Sequence, residues 1–262
     1  MKGLSRDSLV IDNFDTIVNE NEIKDVQEGQ VHELLPRHPY RMLLLGSSGV
    51  GKTNILLNLL TKQLVYDRIY LFSRHLEQAK YKFLKKHLED IEENLKEAGI
   101  NQKIIMMWEN TLQKLPTVEE LDADYRNVLV IDDFAITEKK NSKRIAELYV
   151  RSRHRNASVI FLTQLMFKCD RDIRLNCSHF ILLQSHNKRE LSSLSMDLGA
   201  DLDKGVFKEL YNKVLSIPYQ FLLLDNTARG GDPKRYRIGF NRMYEGSLNE
   251  GPIDIDKFIQ HY

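Results

Sequence analysis

Short unbroken apolar runs alternate along this chain with longer stretches in which apolar residues return every three or four positions. The runs are Arg41-Met-Leu-Leu-Leu45, Ile69-Tyr-Leu-Phe72, Ile104-Ile-Met-Met-Trp108, Val128-Leu-Val-Ile131, Val159-Ile-Phe-Leu162 and Phe180-Ile-Leu-Leu183. Runs this short, bounded by polar residues or glycine, predict buried strands. Between them, Asn54–Leu60 reads as a helix, and Leu76, Ala79, Phe83, Leu84, Leu88, Ile91 and Leu95 share one helical face that ends at Gly99. Thr117 with Glu120 forms a capping box that opens a short helix. Residues 142–153 predict a helix with Ile145, Leu148 and Tyr149 inward, and another helix is expected near 188–198. Gln220–Leu224 and Arg235–Gly239, separated by Arg229-Gly-Gly-Asp-Pro233, predict a C-terminal β-hairpin. Strands alternating with helices predict an α/β fold with a mostly parallel sheet flanked by helices, and Val128–Ile131 has the pattern of a central strand.

The same pattern divides the chain into an acidic N-terminal arm (1–35), one α/β domain (36–245) and a C-terminal tail (246–262). Hydrophobic residues make up 42% and charged residues 29% of 262, which suits a folded globular chain. No apolar run approaches the roughly 20 residues of a membrane span. The first residues lack the apolar core of a secretory signal, so a reducing compartment without membrane attachment is expected. Cys169 and Cys177 match no zinc spacing and are expected to be unpaired thiols. The net charge of +1 argues against a uniformly basic surface, but Lys139–Arg155 carries seven Lys/Arg against the single Glu147. That cluster is either a local field for a polyanion or a solvated helix face.

The strand at 41–45 runs into Gly46-Ser47-Ser48-Gly49-Val50-Gly51-Lys52-Thr53, a G-x-x-x-x-G-K-T motif with a helix behind it. Glycines let successive backbone N–H groups curl around phosphates without Cβ clashes, and a helix start adds favourable partial charge. Lys52 supplies charge to the β- and γ-phosphates, and the Thr53 hydroxyl is a ligand for Mg²⁺. The motif predicts binding of a nucleoside triphosphate such as ATP. A second carboxylate ligand is expected from Asp132, directly after the buried run 128–131. Asp133 is then placed to orient or deprotonate water. Gln164, at the tip of the 159–162 run, is either a γ-phosphate sensor or a polar residue closing a strand. Among the arginines flanking it (Arg151, Arg153, Arg155, Arg171 and Arg174), Arg153 and Arg174 are candidates to neutralise charge in a neighbouring subunit's site. His154, His179 and His186 make no ligand pattern.

Taken in order, the phosphate loop, Val128-Leu-Val-Ile-Asp-Asp-Phe134, Ser152–Gln164 and Asp172-Ile-Arg-Leu-Asn176 resemble the FtsK–HerA superfamily of DNA-pumping ATPases. Within it the chain is most similar to the genome-packaging ATPases of poxviruses, other large DNA viruses, virophages and polinton-like elements, over roughly residues 36–245. The resemblance implies a RecA-like ASCE-type ATPase with an extra strand, here 103–108, between the phosphate-loop and Asp132 strands. It implies Lys52 and Thr53 at phosphate and magnesium, Asp132 as the acidic magnesium partner, Asp133 as the catalytic acid and Gln164 as the sensor. It further implies a homo-oligomeric ring of five or six subunits around double-stranded DNA, with capsid portal or vertex proteins as further partners. The site of action would be the host cytoplasm or nucleus where virions assemble. Asp133 stands where superfamily members often have Glu, one methylene longer. Cellular or conjugative translocases of the same superfamily are the alternative. A P-loop switch or kinase is a further one, although no lid, acceptor pocket or guanine-reading motif is present.

Overall fold

The computed structural model describes residues 32–134, 139–165, 169–185, 187–198 and 201–261. The six apolar runs form six parallel strands: β1 (Arg41–Leu45), β2 (Arg68–Ser73), β3 (Ile105–Glu109), β4 (Asn127–Asp132), β5 (Ala157–Thr163) and β6 (His179–Leu182). Four antiparallel strands follow, β7 (Leu222–Asp225), β8 (Tyr236–Ile238), β9 (Arg242–Tyr244) and β10 (Phe258–Gln260). All ten share one sheet in the order β10-β9-β8-β7-β6-β1-β5-β4-β2-β3.

Every residue of β4 is buried, as expected for a strand covered on both faces. Alternate side chains feed two cores. Leu43, Leu45, Leu129, Ile131, Val159 and Phe161 point to one face, and Met42, Leu44, Val128, Val130, Ile160 and Leu162 to the other. The second face is covered by α1 (Lys52–Asn58), which widens into a π-turn at Leu59–Gln63, and by α2 (Ala79–Glu97). The first is covered by α3 (Lys139–Arg151), α4 (Arg171–Asn176), α5 (Lys188–Asp197) and α6 (Lys204–Leu215). Ile145, Leu148 and Tyr149 of α3 are buried as the periodicity requires, and the Tyr149 hydroxyl donates to the Met42 carbonyl at 2.5 Å, tying α3 to β1.

Two differences from the sequence reading concern strand order and the chain's end. The 103–108 strand is not between the phosphate-loop and Asp132 strands in the sheet. As β3 it is the half-buried outer edge beyond β2, and β5 is the strand inserted between β1 and β4. The apolar run at 104–108 is shared by edge and central strands, so its place in the sheet is set by pairing. In the segment 246–262, β10 pairs antiparallel with β9, and Ile253 and Phe258 are buried in the main core. The Thr117–Glu120 capping box is present but opens only a 3₁₀ turn, Val118–Glu120. Of the N-terminal arm, residues 1–31 lie outside the described residues, while Leu34 and Leu35 are buried. Cys169 and Cys177 are free and buried, and burial raises the Cys177 thiol pKa.

The antiparallel half is held by a buried charge. Arg237, with a fully buried side chain, donates to the Leu34 and Phe240 carbonyls and lies 3.3 Å from Asp225 Oδ2. Burial alone would raise the Asp225 carboxyl pKa, but hydrogen bonds and charge from His179, with help from Thr227, bring it well below the ordinary value. Removing one partner of a buried pair leaves the other uncompensated, so Asp225→Ala is expected to lose about 3–5 kcal/mol near neutral pH. A carboxyl depressed by folding stabilises above its unfolded pKa, ordinarily 3.8, and loses that contribution as pH falls towards its folded value. Denaturant titrations of wild type and variant should therefore differ most near pH 7 and converge below about pH 4. A gap that stays constant with pH would contradict this account.

Candidate active site

The site lies along the C-terminal ends of four neighbouring strands. β1 delivers the chain into the phosphate loop, where Gly49 and Gly51 have φ of 78° and 103°. L-residues are strained in that region, which explains glycine at both positions. Gly46 is required for a different reason. A Cβ there would stand 2.8 Å from Leu183 Cβ and 2.9 Å from Val50 Cγ2. The loop is anchored on both sides: Gly46 N–H donates to the Thr163 carbonyl at the end of β5 (3.3 Å), and Ser47 N–H to the Gln184 carbonyl beyond β6 (3.0 Å).

Lys52 folds back over the loop, its ammonium donating to the carbonyls of Gly46 at 2.7 Å and Ser47 at 2.8 Å. Burial lowers its pKa, and the charges of Asp132 and Asp133 oppose that shift. Thr53 follows in the first turn of α1 and is half-buried.

Asp132 ends β4 with 5% exposure, and the Tyr81 hydroxyl from α2 donates to its Oδ2. Burial raises the Asp132 carboxyl above its ordinary pKa, against the Tyr81 hydrogen bond that lowers it. The next residue, Asp133, takes φ 54°, a left-handed conformation that, outside glycine, is adopted mainly by asparagine, aspartate and histidine. Both its oxygens are engaged. His75 Nε2 lies 2.9 Å from Oδ2, and the Gln164 amide donates to Oδ1 at 3.2 Å. A carboxylate can only accept, so the His75 nitrogen facing it carries the proton. Gln164 thus meets Asp133 because β5 stands beside β4.

Arg153 and Arg174 are not brought to this cluster within the chain. Arg153 is exposed in the 3₁₀ turn Ser152–Arg155 just before β5, at the opposite end of that strand from Gln164. Arg174, on α4 ahead of β6, is ion-paired with Asp197. Part of the basic cluster is internally committed: Arg144 donates to the carbonyls of Leu112, Gln113 and Leu115, and Arg151 pairs with Glu119 and Glu147. Lys143, Arg153 and Arg155 are exposed. His154 is exposed and His179 is buried beside Asp225, while His186 lies outside the described residues.

Sequence reasoning missed His75 and Tyr81. Tyr81 carries no signal that separates it from an ordinary core aromatic of a long helix. His75 does carry one, since it lies two residues beyond β2, the strand beside β4, where a polar side chain reaches Asp133.

A ten-stranded sheet with β5 between β1 and β4, a glycine loop feeding α1, and an acidic pair facing that loop's lysine define a RecA-like P-loop ATPase. A family model described as "Poxvirus A32 protein" matches residues 30–210, and the chain belongs to that family. Among curated proteins none matches. Two solved structures are similar in fold. One is the genome packaging NTPase B204 from Sulfolobus turreted icosahedral virus 2 in complex with sulfate, with TM-score 0.50, 17% identity, and coverage of 77% of this chain and 96% of that one. The other is described as the DNA-packaging ATPase B204 from Sulfolobus turreted icosahedral virus, with TM-score 0.50, 16% identity, and coverage of 83% and 100%. Among the described residues no helix is long and apolar enough to cross a membrane.

Gly46→Ala tests the loop's packing. Because Leu183 Cβ is held by its own backbone, the added methyl must displace the loop from its Thr163 and Gln184 anchors. Affinity for a fluorescent ATP analogue should fall by about ten-fold or more, with a stability loss of about 1–3 kcal/mol from overpacking. Unchanged affinity would mean that the loop accommodates the methyl.

Proposed function

We propose that this chain is an ATP-driven double-stranded DNA translocase that packages a viral or virus-like genome into a preformed capsid. The observation that carries this reading is that the family match over residues 30–210 includes one assembled site, with the phosphate loop, Asp132, Asp133 and Gln164 at neighbouring strand ends. B204, similar in fold, is described as a genome packaging NTPase and a DNA-packaging ATPase.

In this reading the loop's N–H groups and Lys52 bind the triphosphate, Lys52 leaving the Gly46 and Ser47 carbonyls to do so. Thr53 and Asp132 are the residues that would hold Mg²⁺. They fit an ion carried in on the nucleotide: among the described residues no cluster of three His, Cys, Asp or Glu could hold a metal unaided. Asp132 also offers a buried carboxyl whose close partner is a single tyrosine hydroxyl. The chemistry Mg²⁺ supplies when bound is neutralisation of charge on the β- and γ-phosphates. Asp133 orients and deprotonates water, with Gln164 and His75 holding its carboxylate from two sides. The subunits form a pentameric or hexameric ring at the site of virion assembly, in contact with portal or vertex proteins of the capsid. Arg153 or Arg174 acts in the adjacent subunit's site, which for Arg174 requires release from Asp197. Exposed Lys143, Arg153 and Arg155 supply charge for DNA phosphates.

Double-stranded DNA should raise the rate of ATP hydrolysis by the assembled oligomer, and Lys52→Ala should abolish both basal and stimulated turnover. Hydrolysis indifferent to DNA in an assembled oligomer would count heavily against translocation.

His75→Ala should lower kcat about 10- to 100-fold, the range for a misplaced reacting group, while the KM for ATP stays nearly constant. His75→Gln, which keeps an N–H donor, should recover part of the loss. A raised KM with intact kcat would place His75 outside the chemical step.

A further inference from the structure

The turn between α6 and β7 presents an aromatic side chain that neither the fold nor the hydrolytic residues account for. Tyr219 is 98% exposed and has φ 60°. Gln220 N–H donates to the Ile217 carbonyl at 3.3 Å, closing a four-residue turn with Pro218 and Tyr219 at its centre. Proline in the first central place and positive φ in the second are the type II pattern, and the second place favours glycine. Tyrosine there costs backbone strain, and a side chain this exposed regains nothing from burial.

The turn itself is firmly seated. Phe221 packs edge-on against buried Phe240 with ring centroids 5.0 Å apart, and Gln220 Oε1 accepts from Arg242 Nη2 at 2.6 Å. Its position follows from strand register. Leu182 of β6 pairs with Leu45 of β1 on one side and with Leu222 of β7 on the other. Beyond that row the chain continues into Gly46 from β1 and into Gln184 from β6, while the residues leading into β7 are Tyr219, Gln220 and Phe221. Tyr219 therefore leads into β7 at the phosphate-loop end of the sheet, and β7 lies two strand spacings, or about 10 Å, from β1, which delivers that loop. Exposed Gln184 lies between, its carbonyl bonded to Ser47.

The residues facing the terminal phosphate, Asp132, Asp133 and Gln164, all lie on the β5–β4 side of β1. A nucleotide seated with its γ-phosphate towards them directs its nucleoside the other way, towards β6 and β7. We infer that Tyr219 is the stacking platform for the nucleobase, with the Gln184 amide within the same subsite. The inference rests on the phosphate-loop assignment and adds the base-binding side of the site. Stacking on one aromatic face tolerates any base, so it supplies affinity and leaves choice among bases to edge contacts such as Gln184.

Tyr219→Gly suits the test because glycine fits the turn without strain, and its melting temperature should stay close to wild type. The variant should bind a non-hydrolysable ATP analogue roughly 5- to 100-fold more weakly, the span carried by base–aromatic stacking. Its affinity for inorganic triphosphate, which has no base, should be unchanged. Tyr219→Phe should bind the analogue like wild type. Unaltered analogue affinity in Tyr219→Gly, or an equal loss for analogue and triphosphate, would overturn the proposal. Triphosphate binding that survives Lys52→Ala would instead remove the phosphate-loop assignment on which it depends.

Discussion

The site depends on the insertion of β5 between β1 and β4. Parallel strands stand about 4.8 Å apart, so the intervening strand sets the phosphate loop roughly 10 Å from the Asp132–Asp133 turn. That gap has room for a terminal phosphate and a water, and β5 closes its floor with Gln164, whose amide reaches Asp133. The same strand anchors the loop through the Thr163 carbonyl. Were β4 directly beside β1, the acids would crowd the loop lysine and leave no place for water. The unbroken burial of β4 and near-complete burial of β5 make this order costly to change, since alternate side chains of both strands are packed into the cores on the two faces of the sheet.

Around that centre the two halves of the sheet do different work. The parallel half is a platform whose strand ends carry the phosphate loop, Asp132, Asp133 and Gln164. The antiparallel half, β7 to β10, is a brace bound together by Arg237, which reaches from β8 to Asp225 of β7 and to the backbone before β1. The brace also seats the turns beside the loop, so the second half of the sheet bounds the site as well as stabilising the fold.

Much of this was legible in the chain because it is encoded locally. The glycine loop, the apolar run before Asp132 and the polar tip at Gln164 are contiguous patterns, and each falls at a strand end as expected. What was illegible depends on pairing between distant segments. The place of the 104–108 run at the edge, and of Phe258–Gln260 within the sheet, follows from which backbone finds which neighbour, and three-residue strands have almost no periodicity to read. Helix α6, Lys204–Leu215, escaped notice although Phe207, Leu210, Tyr211 and Val214 share a buried face. Tyr81 is legible only once α2 is set beside β4, because a hydrogen bond across more than 50 residues leaves no mark in local sequence, whereas His75 is marked by its place just beyond β2.

Lys52 is hydrogen-bonded to the loop's own backbone, at the carbonyls of Gly46 and Ser47. Nucleotide binding is then an exchange, in which the phosphates must out-compete two intramolecular acceptors for one ammonium. The exchange also runs in reverse. After hydrolysis the same carbonyls are waiting for the lysine as its phosphate partner departs, so the half-buried charge is never left without an acceptor. A lysine handed from one partner to the next eases the release of spent nucleotide, a step that every turnover of an ATPase must repeat.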